Sequence, residues 1–135
     1  MPQGVTSSEA VTEAIRVTAT PQYMPEHSSP ADGKFLFAYN IKITNEGDTP
    51  VKLLSRKWTI INADGDENEV RGEGVIGETP MIEVGQCYEY NSFSILDTPF
   101  GTMEGHYIMQ REDGDLIQVQ ISRFYLATNA EAAKI

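Results

Sequence analysis

Apolar and polar residues alternate along most of this chain with the two-residue period of strands that bury one face. From Ala14 onward, Ile15, Val17 and Ala19 point one way, and Arg16, Thr18 and Thr20 the other. Pro21 and Pro25 bracket the end of that strand and place it at a sheet edge, because proline cannot donate to a ladder. The cleanest alternation sets Phe35, Phe37, Tyr39, Ile41 and Ile43 over Leu36, Ala38, Asn40, Lys42 and Thr44. A turn at residues 45–50 leads to a strand over 51–61, whose apolar phase slips between Leu53 and Trp58. That slip predicts a β-bulge or bend near residues 55–57. Asp64-Gly65 signals a tight hairpin into a short polar strand, Glu67 to Arg71. Further strands are expected over 86–94 and 102–110, and the turn at 112–115 gives the last hairpin. Its return strand carries Ile117, Val119 and Ile121 inward, then changes phase at Arg123 so that Phe124 and Leu126 follow.

Seven or eight short antiparallel strands, separated by Gly, Asp, Asn and Pro turns, call for an all-β sandwich or barrel. Its single cysteine excludes the inter-sheet disulfide of antibody domains, so within the immunoglobulin-like sandwiches the fibronectin type III kind is the closer model. Trp58, on a middle strand, is the natural core plug. A length of 135 residues suits one domain, expected over 10–128, with loose tails at 1–9 and 129–135.

Charge narrows the partners. Ten basic residues face twenty acidic ones, a formal net charge of −10. That field repels phosphate backbones and anionic membrane surfaces, so neither nucleic acid nor membrane is an expected partner. It favours basic protein surfaces or divalent cations instead. Cys87 lies in a strand pattern where a small buried thiol is the usual explanation. With no long apolar run and no basic or apolar leader pattern in MPQGVTSSEA, a cytoplasmic protein is expected.

Candidate chemistry is sparse. A nucleophilic triad or a catalytic zinc site needs histidines, and the chain has only His27, in a Pro/Ser loop, and His106, on the polar phase of its strand. No catalytic residue is therefore assigned. The carboxylates Asp64, Asp66, Glu67 and Glu69 resemble a calcium loop only loosely. The glycine stands second rather than sixth, and alternating carboxylates in a hairpin usually guard a solvated edge. They stay as a candidate for weak divalent-cation binding. Gly72-Glu73-Gly74-Val75-Ile76-Gly77 is a literal G-x-G-x-x-G, the spacing that lays a pyrophosphate on a helix N-terminus in nucleotide-binding folds. Here Pro80 follows three residues after Gly77, and no helix is in prospect. The motif then reads first as a close-packed irregular loop between strands. A second reading is a phosphate nest of Gly72, Gly74 and Gly77, with Arg71 as a charged fork set among Asp66, Glu67, Glu69, Glu73 and Glu78.

Together, Arg56-Lys57-Trp58, the glycine motif with Pro80, Gly85-x-x-Tyr88-x-Tyr90-x-Ser92 and Thr98-Pro99-x-Gly101-x-Met103-x-Gly105-x-Tyr107 closely resemble the ApaG (CorD) domain, over about residues 15–126. The resemblance implies a fibronectin type III-like sandwich. It also implies an association with cobalt resistance and magnesium efflux, a pyrophosphate-binding proposal for the glycine motif, and a protein-binding role inferred for related eukaryotic domains. It supplies no catalytic residues and no cofactor. The expectation is a non-enzymatic binding module for another protein, whose identity and stoichiometry the residues leave open. It would dock through a sheet face or the glycine-loop end of the sandwich, a reading motivated by Tyr88, Tyr90, Tyr107 and Tyr125, more aromatics than one strand face needs. The alternatives are a pyrophosphate or dinucleotide-polyphosphate ligand and weak divalent-cation binding.

Overall fold

The alternating pattern becomes nine strands in a computed structural model whose described residues are 6–128. In chain order they are β1 (Ser8–Thr12), β2 (Ile15–Tyr23), β3 (Phe35–Asn45), β4 (Val51–Asn62), β5 (Glu67–Glu73), β6 (Met81–Ile82), β7 (Cys87–Leu96), β8 (Phe100–Arg111) and β9 (Leu116–Ala127). They form two antiparallel sheets of a sandwich, ordered β1-β2-β3-β7 and β5-β4-β8-β9, with β6 pairing with β4. The expected strand faces turn inward as read: Ile15, Val17 and Ala19 from β2, and Phe37, Tyr39, Ile41 and Ile43 from β3. Each fully buried Ile or Val contributes roughly 1.5–3 kcal/mol. Trp58 is the core plug, packed against Tyr39 and Phe124 with ring centroids 5.4 and 5.8 Å away.

Both phase changes are backbone irregularities. The β4–β8 register shifts between Leu53 and Ser55, so Leu54 is the extra residue, just before the expected bulge at 55–57. The second shift sets Met103 opposite Phe124 but Gly105 opposite Ile121, so β9 carries the extra residue, and Phe124 and Leu126 face the core.

Four local expectations differ from the structure. Ser8 and Glu9, assigned to a loose tail, begin β1, and the tail expected over 129–135 lies outside the described residues. β2 is not an edge strand, because β1 covers it from Ile15 to Ala19. Pro21 sits just past that coverage, where no β1 partner needs its missing N–H. Cys87 is exposed rather than buried, since the inward positions of β7 are Tyr88 and Tyr90, on the opposite phase. Tyr90 and Tyr107, counted among the surplus aromatics that motivated a docking face, are core residues, 5% and 0% exposed.

The two sides of the sandwich differ. On one, β1 and β2 pack against β9 and tie the sheets together. Ser8 Oγ donates to the Ser122 carbonyl (2.7 Å), Gln120 N to Thr12 Oγ1 (3.1 Å) and Tyr125 N to the Thr6 carbonyl (2.9 Å). On the other, β5 and β7 each pair with a single neighbour among the described strands. That side is open. No helix among the described residues is long and apolar enough to cross a membrane.

Candidate functional site

The glycine motif caps β5 at the open side. Gly72 is still in the strand, opposite Arg56 of β4. The Leu54 bulge moves the inward phase of β4 from Leu53 onto Arg56 and Trp58, so the Arg56 side chain turns inward and lies half-buried beneath the motif. Nη1 donates to the carbonyls of Glu73 (3.0 Å) and Gly74 (2.7 Å). A Cβ on Gly72 would stand 2.7 Å from Nη2 and 2.8 Å from Cζ, so the first glycine is the space that the guanidinium fills. At Gly74 (φ +57°) a Cβ would run into the carbonyl of Glu78. Val75 and Glu78 exchange backbone hydrogen bonds of 2.8 and 2.9 Å around Ile76-Gly77. Both central residues have positive φ, 43° and 79°, as a type I′ hairpin turn requires. Val75 is buried beneath this hairpin, while Ile76 is held exposed in a conformation that β-branched residues avoid.

Gly72 and Gly74 therefore have packing reasons, and Gly77 a conformational one, since a Cβ there would meet open space at φ +79°. The amides of Gly74, Val75 and Glu78 are bonded to the carbonyls of Leu54, Glu78 and Val75, rather than pointing together into a nest. Arg71 is not brought to that loop. It stands on the outer face with its side chain 72% exposed, and Glu69 lies 3.7 Å away. The same Glu69 approaches Lys57 at 3.5 Å. Lys57 is paired across the sheet with both Arg71 and His106. Loss of solvation, then the charges of Lys57 and Arg71, hold the His106 imidazole below its ordinary value.

Under Arg56 lies a set of tyrosines. Tyr90 and Tyr107 share a hydroxyl–hydroxyl hydrogen bond in the core. Burial is the main cause raising both, and Tyr39 with them, above the usual phenol range; the Arg56 charge opposes it. Nearer the surface, Tyr88 donates to Glu78 Oε1 at 2.7 Å. Desolvation and then that carboxylate push its pKa up to about 12. Among the described residues no carboxylate comes within ion-pair distance of Arg56. The sequence pointed to Arg71 as the cation near the glycines, and the structure puts Arg56 there. The slipped phase before Trp58 was the available signal, because it turns Arg56 inward.

The carboxylates of the 64–69 hairpin disperse. Asp66 accepts from Asn62 Nδ2 (3.3 Å), Glu69 serves Lys57 and Arg71, and Asp64 and Glu67 are exposed. Among the described residues no three His, Cys, Asp or Glu side chains gather as a metal ion would need.

The ApaG domain family model matches residues 25–111. The chain belongs to the ApaG family. Protein ApaG of Anaeromyxobacter dehalogenans is 46% identical over 119 residues, covering 88% of this chain and 94% of that protein. Protein ApaG of Aromatoleum aromaticum is 45% identical over 120 residues, covering 89% and 94%. The crystal structure of a Bordetella pertussis protein described as ApaA superposes with a TM-score of 0.82 at 42% identity, covering 84% of this chain and 92% of that one. In this ApaG domain the motif around Thr98 is also structural. Thr98 Oγ1 accepts from Ala63 N (3.0 Å) and donates to the Phe100 carbonyl (2.7 Å). At Gly101 and Gly105 a Cβ would strike the carbonyls of Ile61 and Lys57, so these glycines let β8 close on β4.

Proposed function

We propose that this ApaG domain is a non-enzymatic module that binds another protein. One observation carries the reading: Phe93 and Ile95 of β7 stand 62% and 56% exposed on the outer face, opposite Ala38 and Leu36 of β3. Contiguous apolar surface is what protein contacts use and what solvent-facing strands avoid. A link to cobalt or magnesium handling would then run through the partner rather than through chelation by Asp64 to Glu69. Crosslinked affinity capture from a native lysate should return one stoichiometric partner. Repeated empty captures overturn the reading.

A second reading, a phosphate-bearing small ligand, is favoured by Arg56, a half-buried cation with no carboxylate partner beside the glycine hairpin. Amide NMR titration with pyrophosphate, ATP and a dinucleotide tetraphosphate decides it. Saturable shifts at residues 56 and 71–78 support it, and flat spectra at high ligand concentration remove it.

A further inference from the structure

Sandwich proteins guard exposed strand edges with proline, lysine, bulges or like charges, since a bare edge is a template for another strand. The four free edges here are treated unequally. β1 and β9 face each other on the closed side, tied by the Ser8–Ser122 and Gln120–Thr12 bonds. β5 is guarded by Glu67, Glu69 and Glu73, spaced along one face of the strand. β7 carries no guard: Cys87–Leu96 holds neither proline nor lysine, and its pairing with β3 runs ten residues in register without a bulge. Glu89 is its lone charge, and Phe93 and Ile95 are the large apolar side chains among its exposed outward positions.

At the Ser94–Asp97 end of this edge, between β7 and β5, lies a groove of about 480 Å³. Its apolar lining includes Ile60, Val70 and Leu96, with the exposed Ile95 at its outer rim, and Asp66, Glu67 and Asp97 stand around it. A strand laid along β7 would alternate its side chains between two surroundings. One set would lie beside Phe93 and Ile95 on the outer face, and the other would point into the acid-rimmed groove. We infer that β7 receives an extended segment of a partner protein by strand addition, and that this segment alternates apolar with basic residues. Main-chain bonds to the β7 edge supply the affinity, and the alternation supplies the specificity. A second copy of this chain is the less suitable occupant. It would bring another net charge of −10 to the same carboxylates, whereas a basic segment is attracted to them.

This inference rests on the protein-binding reading and names its surface. The test selects displayed random peptides on the immobilised full chain, then maps the winners by amide NMR. Selected peptides should alternate Lys or Arg with Val, Ile or Phe and shift the amides of residues 87–96. Phe93→Lys, Ile95→Lys and Glu67→Gln change exposed side chains, so each variant should keep its thermal transition. The two lysine variants should lose about tenfold or more in affinity, and Glu67→Gln should flatten the salt dependence. Peptides that bind but shift only residues of β4, β8 or β9 overturn strand addition. So do selections that yield no alternating basic sequence, or self-association abolished by Phe93→Lys, which would make the occupant a second copy. A captured cellular partner that binds Phe93→Lys as well as the parent chain overturns the inference while leaving the protein-binding reading intact.

Discussion

At the scale of single residues, Gly72 and Gly74 of the motif record two different steric demands, and substitution should separate them. Gly74→Ala puts a methyl into the Glu78 carbonyl at φ +57°, where backbone rather than side chain must move. Overpacking and the left-handed conformation together cost about 2–5 kcal/mol. Gly72→Ala meets only the end of the Arg56 side chain, which swings away and gives up its bonds to Glu73 and Gly74. The expected loss is about 1–2 kcal/mol, and it should nearly vanish in an Arg56→Ala background. Urea unfolding of the four-member cycle measures that coupling, and additive losses would break the link between Arg56 and Gly72. The tyrosines beneath make a second prediction. Folded Tyr39, Tyr88, Tyr90 and Tyr107 hold their protons more tightly than the ordinary phenol value of 10.0. Above that value the unfolded chain releases protons that the native state keeps, so stability falls with rising pH. For Tyr88 that contribution is fully present below pH 10 and lost on the way to about 12. Tyr88→Phe should shallow the alkaline fall of the unfolding midpoint, and an unchanged slope would show that neither desolvation nor the Glu78 carboxylate raises this phenol.

At the scale of elements, the sheets were legible wherever one strand face is apolar. β3 and β9 are found as expected, including the phase change at Arg123, because burial of alternate residues fixes register. β1 was not legible, since none of Ser8–Thr12 is buried, and it holds its place by backbone pairing and polar ties to β9. Hydrophobic pattern carries no trace of such a strand. A different cause hid Arg56 from the site: a bulge reverses parity, and its exact position decides which cation looks inward. Removing residues 1–12 makes β1 testable. The loss should be on the order of 3 kcal/mol, from several bonds worth ~1 kcal/mol net each. It should also leave the β2 edge bare and promote association. Urea midpoints and sedimentation of the truncated chain measure both, and an unshifted midpoint would return Ser8 to Thr12 to the status of a tail.

At the scale of the whole molecule, the strongest influence outside the core is an unbalanced charge of −10 on a chain with pI near 4.5. Ion pairs such as Arg16–Glu46 at 2.8 Å and Arg123–Glu104 at 2.7 Å lie on the surface. Pairs of that kind contribute about 0–1 kcal/mol each. Salt screens them, which destabilises the fold, and it screens the mutual repulsion of the excess carboxylates, which stabilises it. The balance favours repulsion, since it is summed over the whole surface and still acts where the Debye length is roughly 30 Å, in dilute buffer. At pH 7 the thermal midpoint should therefore rise when sodium chloride takes the solution from that regime to physiological strength. Near the pI the excess charge is gone, only attractive pairs remain to be screened, and the effect should disappear or reverse. Calorimetry at the two pH values separates repulsion from pairing. A midpoint that falls with salt at pH 7 would mean that the ion pairs, and not the excess carboxylates, set the electrostatics of the surface.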